Sequence, residues 1–177
     1  MLEHDLKEIL YFIEPTQDNF KTYSHQLYAL FIRACMEFEA SCRMILIENK
    51  YQFEKDKNPN ILTYYKIHDF SNYKSINSYL VRLHMSEEID LKPLESWKED
   101  KGPNWYQAYN DAKHSRVLNF SKANLLNVLN AVAAVFILLY ARYDIAALNQ
   151  FQENNGWETD DNGFVYKENS LFKIRKG

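Results

Sequence analysis

The sequence predicts an all-α fold: a helical bundle of about five helices, two of them long, followed by a small C-terminal β-hairpin. Three observations predict it. Glycine and proline number four each in 177 residues, too few turn formers for an all-β chain. Two long stretches, near residues 19–51 and 119–151, repeat apolar residues at helical spacing. After Gly156 that spacing gives way to short β-prone runs set between turn residues. A helical domain over residues 1–155 and a hairpin appendage over residues 156–177 follow from this division.

Residues 2–13 place Leu6, Ile9, Leu10 and Ile13 on one face, a short amphipathic helix that Pro15 ends. The opening MLEHDLKEIL is acidic and amphipathic, unlike a signal peptide. Thr16 or Asp18 can cap the next helix, expected over residues 19–51. Its main apolar stripe runs from Leu27 through Phe31, Ala34, Cys35, Phe38, Cys42 and Ile45 to Leu46. A second stripe, Met36, Ala40, Met44 and Ile47, lies on the far side. Two apolar faces imply cover on both sides, the second from a bundle neighbour or from another copy in a homodimer. Arg33 and Glu37, and Glu39 and Arg43, stand four apart and can pair within the helix. Arg33 and Glu37 are also candidates to face a ligand on a neighbouring helix.

Residues 54–60 read as a polar loop. Residues 61–83 leave two readings open: a short helix capped by Ser71 or Asn72, or a strand beginning at Tyr79. Residues 85–93 read as irregular or briefly extended, and Lys92-Pro93 breaks any helix there. A polar loop after Trp97 turns at Gly102-Pro103. Asn104 then caps a helix to about Ser115, and Asn119 or Ser121 starts the last long helix, to about Phe151. That helix carries Asn124, Asn127 and Asn130 on one side early, then turns apolar all round. Its unbroken apolar run, Ala131 to Ala141, is shorter than the roughly 20 residues a bilayer requires, so it reads as a core helix and no membrane is expected. Beyond it, Asp160 to Gly163 is a hairpin turn signal between strands near residues 164–166 and 171–174.

Composition narrows the function classes. A net charge of -3 gives no general attraction to nucleic acid, so any such site is a local patch. Thirteen Tyr and eleven Phe supply core rings and leave some for surface contacts. Cys35 and Cys42 lie on one helical face about 10 Å apart, too far for a disulfide. They read as reduced thiols of a cytoplasmic protein, and no partner ligands stand at zinc spacing. Glu37 and Glu39 are two apart and share no face, and no Glu-x-x-His pair exists, so no metal is called for. No phosphate-binding loop or dinucleotide fingerprint is present, and no cofactor is expected.

The richest chemistry is in NWYQAYNDAKHSR. On a helix, Tyr109, Lys113 and Arg116 form a cationic, aromatic-edged stripe, with Asn110 and His114 on the adjoining face. Lys98, Lys101 and Lys122 flank it in sequence. Such a patch suits a phosphate, a nucleotide or RNA, and rings beside cations suit stacking on unpaired bases.

The long helix YALFIRACMEFEASCRMIL, then YNDAKHSR, then an apolar helix, together resemble the HEPN superfamily. So does WYQAYNDAKHSRVLNFSKANLLNVLNAVAAVF, whose W–YN–KH–R pattern is similar to that of a set of bacterial proteins. The similarity covers about residues 19–143. The resemblance implies a small all-α bundle from toxin–antitoxin, antiphage defence or nucleotide-handling systems. Its ribonuclease members carry an Arg-x4–6-His signature, which acts on the scissile phosphate without metal, often across a dimer. His114 matches the His, but Gln107, Ala108 and Tyr109 stand where the Arg would be, and Arg116 follows instead. The expected role is therefore an interaction module for an anionic partner, RNA or nucleotide, through Tyr109, Asn110, Lys113, His114 and Arg116. The alternative is a metal-independent endoribonuclease with His114 as general base and Arg116 stabilising charge on phosphate.

Overall fold

The computed structural model describes residues 1–55, 57–85, 88–142 and 157–177. The helices are α1 (Leu2–Leu10), α2 (His25–Glu48), α3 (Ile61–Tyr64), α4 (Asn104–His114), α5 (Arg116–Asn119) and α6 (Leu125–Arg142). The strands are β1 (Leu80–His84), β2 (Glu88–Leu91), β3 (Trp157–Thr159), β4 (Val165–Lys167) and β5 (Phe172–Arg175).

Two helices, α2 and α6, form the centre, and they run parallel. At their starts, the Leu125 N–H donates to the Thr22 carbonyl at 2.9 Å and Tyr23 bridges Asn124. At their ends, Arg142 of α6 pairs with Glu48 of α2. Parallel neighbours need a long crossover, and residues between them supply α3, β1, β2 and α4. The same contacts explain why α2 begins at His25 rather than near Asn19. The chain turns at Phe20, the Phe20 and Thr22 carbonyls accept the first N–H groups of α6, and the Ser24 hydroxyl caps α2 by accepting the Leu27 N–H at 3.1 Å.

The main stripe of α2, from Leu27 to Leu46, is buried throughout. The second stripe is not covered by this chain: Met36, Met44 and Ile47 are 56%, 42% and 50% exposed. Neither expected ion pair within α2 forms. Arg33 instead binds Asp5 of α1 at 2.7 Å, Glu39 accepts a hydrogen bond from Tyr106, and Arg43 lies over the Phe53 ring. In α6 most of the apolar run is buried, Ala131, Ala133 and Ala134 completely, but it is not covered all round, since Leu139 is exposed. Among the described residues α6 alone is long and apolar enough to cross a membrane, and most of it is buried inside the protein. The expected extension of this helix to Phe151 lies outside the described residues.

The fold is mixed α and β, which corrects the expected all-α bundle with a small hairpin. A five-stranded antiparallel sheet runs in the order β2-β1-β5-β4-β3. The turn expected at Asp160 to Gly163 does join two strands, β3 and β4, with Gly163 at φ 76. The C-terminal strands are not a separate appendage, because β5 pairs with β1 in the register Val81↔Ile174 and Leu83↔Phe172. Alternation sets the two faces. Val81, Leu83, Phe172 and Ile174 are buried in the core, and Phe172 meets Phe136 of α6 at 5.7 Å. On the other face Arg82 binds Asp90 at 2.6 Å and Glu88 at 2.9 Å, and lies over Phe164.

Candidate functional site

The site is built on the break between α4 and α5. Ser115, at φ -145 and ψ 73, leaves the helical conformation, and the chain turns through α5 towards α6. The turn is braced from several sides. The Asn119 side-chain amide donates to the carbonyls of Asp111 and Ser115, each at 3.2 Å. The Tyr28 hydroxyl donates to the Ala112 carbonyl at 3.3 Å. Lys122 binds the Asp111 carboxylate at 2.5 Å, and this bond with that from Gln107 holds the Asp111 carboxyl below its ordinary range.

Arg116 projects from this turn and lies against a pair of touching rings, Tyr28 and Phe120, whose centroids are 5.5 Å apart. Its guanidinium carbon is 4.7 Å from the Tyr28 ring centroid and 5.4 Å from that of Phe120. One Nη2 donates to Nδ1 of His25 at 3.0 Å. A guanidinium only donates, so Nδ1 accepts and the ring proton sits on Nε2. The His25 ring lies 4.9 Å from Phe120, and Tyr23 meets Phe120 edge-on at 5.7 Å. Three segments thus converge on one cation: the start of α2, the α5 turn and the residues entering α6.

The expected residues distribute unevenly around this point. Arg116, Lys113 and His114 are exposed on the same turn of chain, while Asn110 is half-buried. His114 makes no side-chain hydrogen bond among the described residues, and the imidazole beside Arg116 is that of His25. Tyr109 is fully buried, against Phe31, and is no surface ring. Lys113 joins it to the surface: its Nζ donates to the Tyr109 hydroxyl at 3.2 Å and sits over the ring, which raises the ammonium's pKa. Arg33 and Glu37 fall on the opposite side of α2 from Tyr28 and Glu39. Arg33 is paired with Asp5, and Glu37 lines a separate cleft of about 330 Å³ with Met1, Leu2, Ser41, Val132 and Phe136. Neither belongs to the α4–α5 site. Of the flanking lysines, Lys122 is neutralised by Asp111, and Lys98 and Lys101 pair with each other's backbone across their own loop.

Sequence reasoning missed His25, Tyr28 and Phe120. The run TYSHQLY is dense in rings at a helix start, which is the one signal available. It also missed the polar pair beneath the site, where the Tyr106 hydroxyl donates to Glu39 at 2.5 Å. Burial and then that carboxylate push the Tyr106 phenol up, so it stays a neutral donor. Cys35 and Cys42 are buried, and burial raises both thiols well above their usual range, which leaves them unreactive. Among the described residues no group of three or more His, Cys, Asp or Glu side chains is arranged to hold a metal ion. No protein-family model, curated protein or solved structure matches the chain.

Proposed function

We propose that this chain binds an anionic partner, RNA or a nucleotide, at the α4–α5 turn, as an interaction module in a defence or toxin–antitoxin setting. The resemblance of YNDAKHSR to HEPN proteins suggests the setting, and the turn supplies the chemistry. One observation carries the reading. Arg116 packs against the paired Tyr28 and Phe120 rings and is hydrogen-bonded to His25, beside exposed Lys113 and His114. A guanidinium so fixed loses little freedom on meeting a phosphate. Neighbouring rings suit bases that are unstacked. The test is fluorescence anisotropy across a panel of nucleotides and short RNAs. Binding is expected to weaken with added salt and to drop with a Lys113→Ala/Arg116→Ala variant. No binding across the panel would sink the reading.

A second reading, metal-independent endoribonuclease, is favoured by the 3.0 Å approach of an imidazole to a guanidinium. In it, a histidine moves a proton and Arg116 stabilises charge on phosphate. The geometry makes His25 as strong a candidate as His114. Labelled RNA incubated in EDTA with wild type, His25→Ala and His114→Ala decides between them. Cleavage at the wild-type rate by both variants would show a contaminating nuclease. We also propose a homodimer through the uncovered α2 face at Met36, Met44 and Ile47, checked by light scattering of wild type against Met36→Lys/Met44→Lys.

A further inference from the structure

We infer that α5 is a base-contacting wedge, and that the ligand of this site is single-stranded RNA of more than one nucleotide; this rests on the anion-binding reading above. The observation is the exposure of two adjacent aliphatic residues immediately after Arg116. Val117 is 93% exposed and Leu118 is 82% exposed, on a helix of four residues. Scattered apolar side chains at a surface are ordinary. These two differ in where they stand and how they are held.

They stand beside the cation. Arg116 precedes them directly, His114 and Lys113 lie just before, and Phe120 follows two residues on. They are also held firmly. Asn119 ties the end of α5 back to Asp111 and Ser115, the Tyr28 hydroxyl ties down Ala112, and Arg116 packs against the Tyr28–Phe120 ring pair and bonds His25. A turn this constrained displays Val117 and Leu118 at a set distance from the guanidinium. A ligand with charge at one point and an apolar face a short step away matches that display. A phosphate with the base of a neighbouring nucleotide has this form. In a duplex the base faces are stacked inside, out of reach of an aliphatic tip. In an unpaired strand they are open to it.

The alternative occupant is an anionic bilayer. Two side chains are a small anchor for a 21.1 kDa protein of net charge -3, and stable membrane attachment generally takes more than one such signal. The chemistry therefore favours the nucleic acid.

The test compares three probes on the full chain. They are a labelled unstructured RNA of about ten nucleotides, its blunt-ended duplex, and inorganic pyrophosphate, which has charge but no base. Wild type is expected to bind the single strand about tenfold or more tightly than the duplex, the order of one or two base contacts. Val117→Ser/Leu118→Ser is expected to lose about tenfold on the single strand and to keep its pyrophosphate affinity. Arg116→Ala is expected to lose both. Both positions are exposed, so an unchanged melting temperature verifies the fold of the double variant. Equal RNA affinity for wild type and the Val117/Leu118 variant overturns the wedge and leaves the anion site standing. Failure of wild type to bind either RNA or pyrophosphate overturns the site and the wedge together. Binding to phosphatidylserine vesicles without binding to RNA overturns the wedge in favour of a bilayer.

Discussion

At the scale of single residues, Phe38 shows how the core and the site are joined. It is fully buried on α2 and packs on Trp97 at 5.4 Å and, edge-on, on Trp105 of α4 at 5.1 Å. Phe38→Ala leaves a cavity beneath α4 and is expected to cost about 3–5 kcal/mol, measured by urea unfolding. One residue further on, Tyr106→Phe removes the donor to Glu39 from a half-buried carboxylate. The expected loss is about 1.5–3 kcal/mol. Asp160 gives a pH prediction. The backbone N–H of Phe164, with Lys173 and the backbone N–H of Asn162, holds its carboxyl below the ordinary aspartate value of 3.8. The folded chain therefore keeps Asp160 ionised where the unfolded chain takes up a proton. Its stabilising effect is full well above pH 3.8 and is lost as pH falls through the lower folded value. Thermal melts of wild type and Asp160→Asn should differ at neutral pH and converge in strong acid. Melts that stay equally far apart would contradict this. The residues of the site divide by legibility. Lys113, His114 and Arg116 could be singled out because they stand within four consecutive positions, although the helix breaks at Ser115 between them. His25 could not, since it meets Arg116 across 91 positions, a distance no spacing rule spans.

Among elements, the long helices and the C-terminal strands β4 and β5 were legible, whereas β1 stayed ambiguous and the pairing of the sheet was not written in the sequence. A helix closes its hydrogen bonds within itself, so its apolar repeat is written in consecutive residues. α2 shows this, with every residue of the stripe Leu27 to Leu46 buried as expected. A strand of three to five residues offers too few positions for a period, and its hydrogen bonds lie on another segment. Glu88–Leu91 reads as irregular or briefly extended in isolation, and it is its pairing with β1, from Val81↔Leu91 to His84↔Glu88, that makes it a strand. The start of α2 was misread for a related reason: the turn at residues 20–21 and the bonds of the Phe20 and Thr22 carbonyls to the start of α6 delay the helix to His25. β5 carries the consequence that is easiest to measure. Ile174 is fully buried and opposes Val81 on one side and Val165 on the other. Ile174→Asp places an unpaired charge there and should cost more than about 4 kcal/mol by urea unfolding. It should also promote aggregation as the β1 edge is released.

For the molecule as a whole, the net charge of -3 and the cationic turn work at different ranges. Beyond a Debye length of about 10 Å the overall charge is screened in ordinary salt, so the net charge does not oppose the anion binding proposed at the turn. The logarithm of RNA affinity should fall linearly with that of salt, by about 0.7 per phosphate contact for a single strand. Arg116→Ala should reduce the slope by roughly that one contact. An unchanged slope would place the phosphate elsewhere. By itself the sequence determined the helical core elements, their buried faces, the Asp160 to Gly163 hairpin turn and the stretch where chemistry concentrates. These depend on neighbours within a few turns of chain. Only the tertiary structure decided that α2 and α6 lie parallel, that β1 accepts β5 to complete a mixed fold, and that His25 and Phe120 surround Arg116. Each of those joins segments distant in sequence, and such pairings are selected by the packing of the whole core, which no local pattern records.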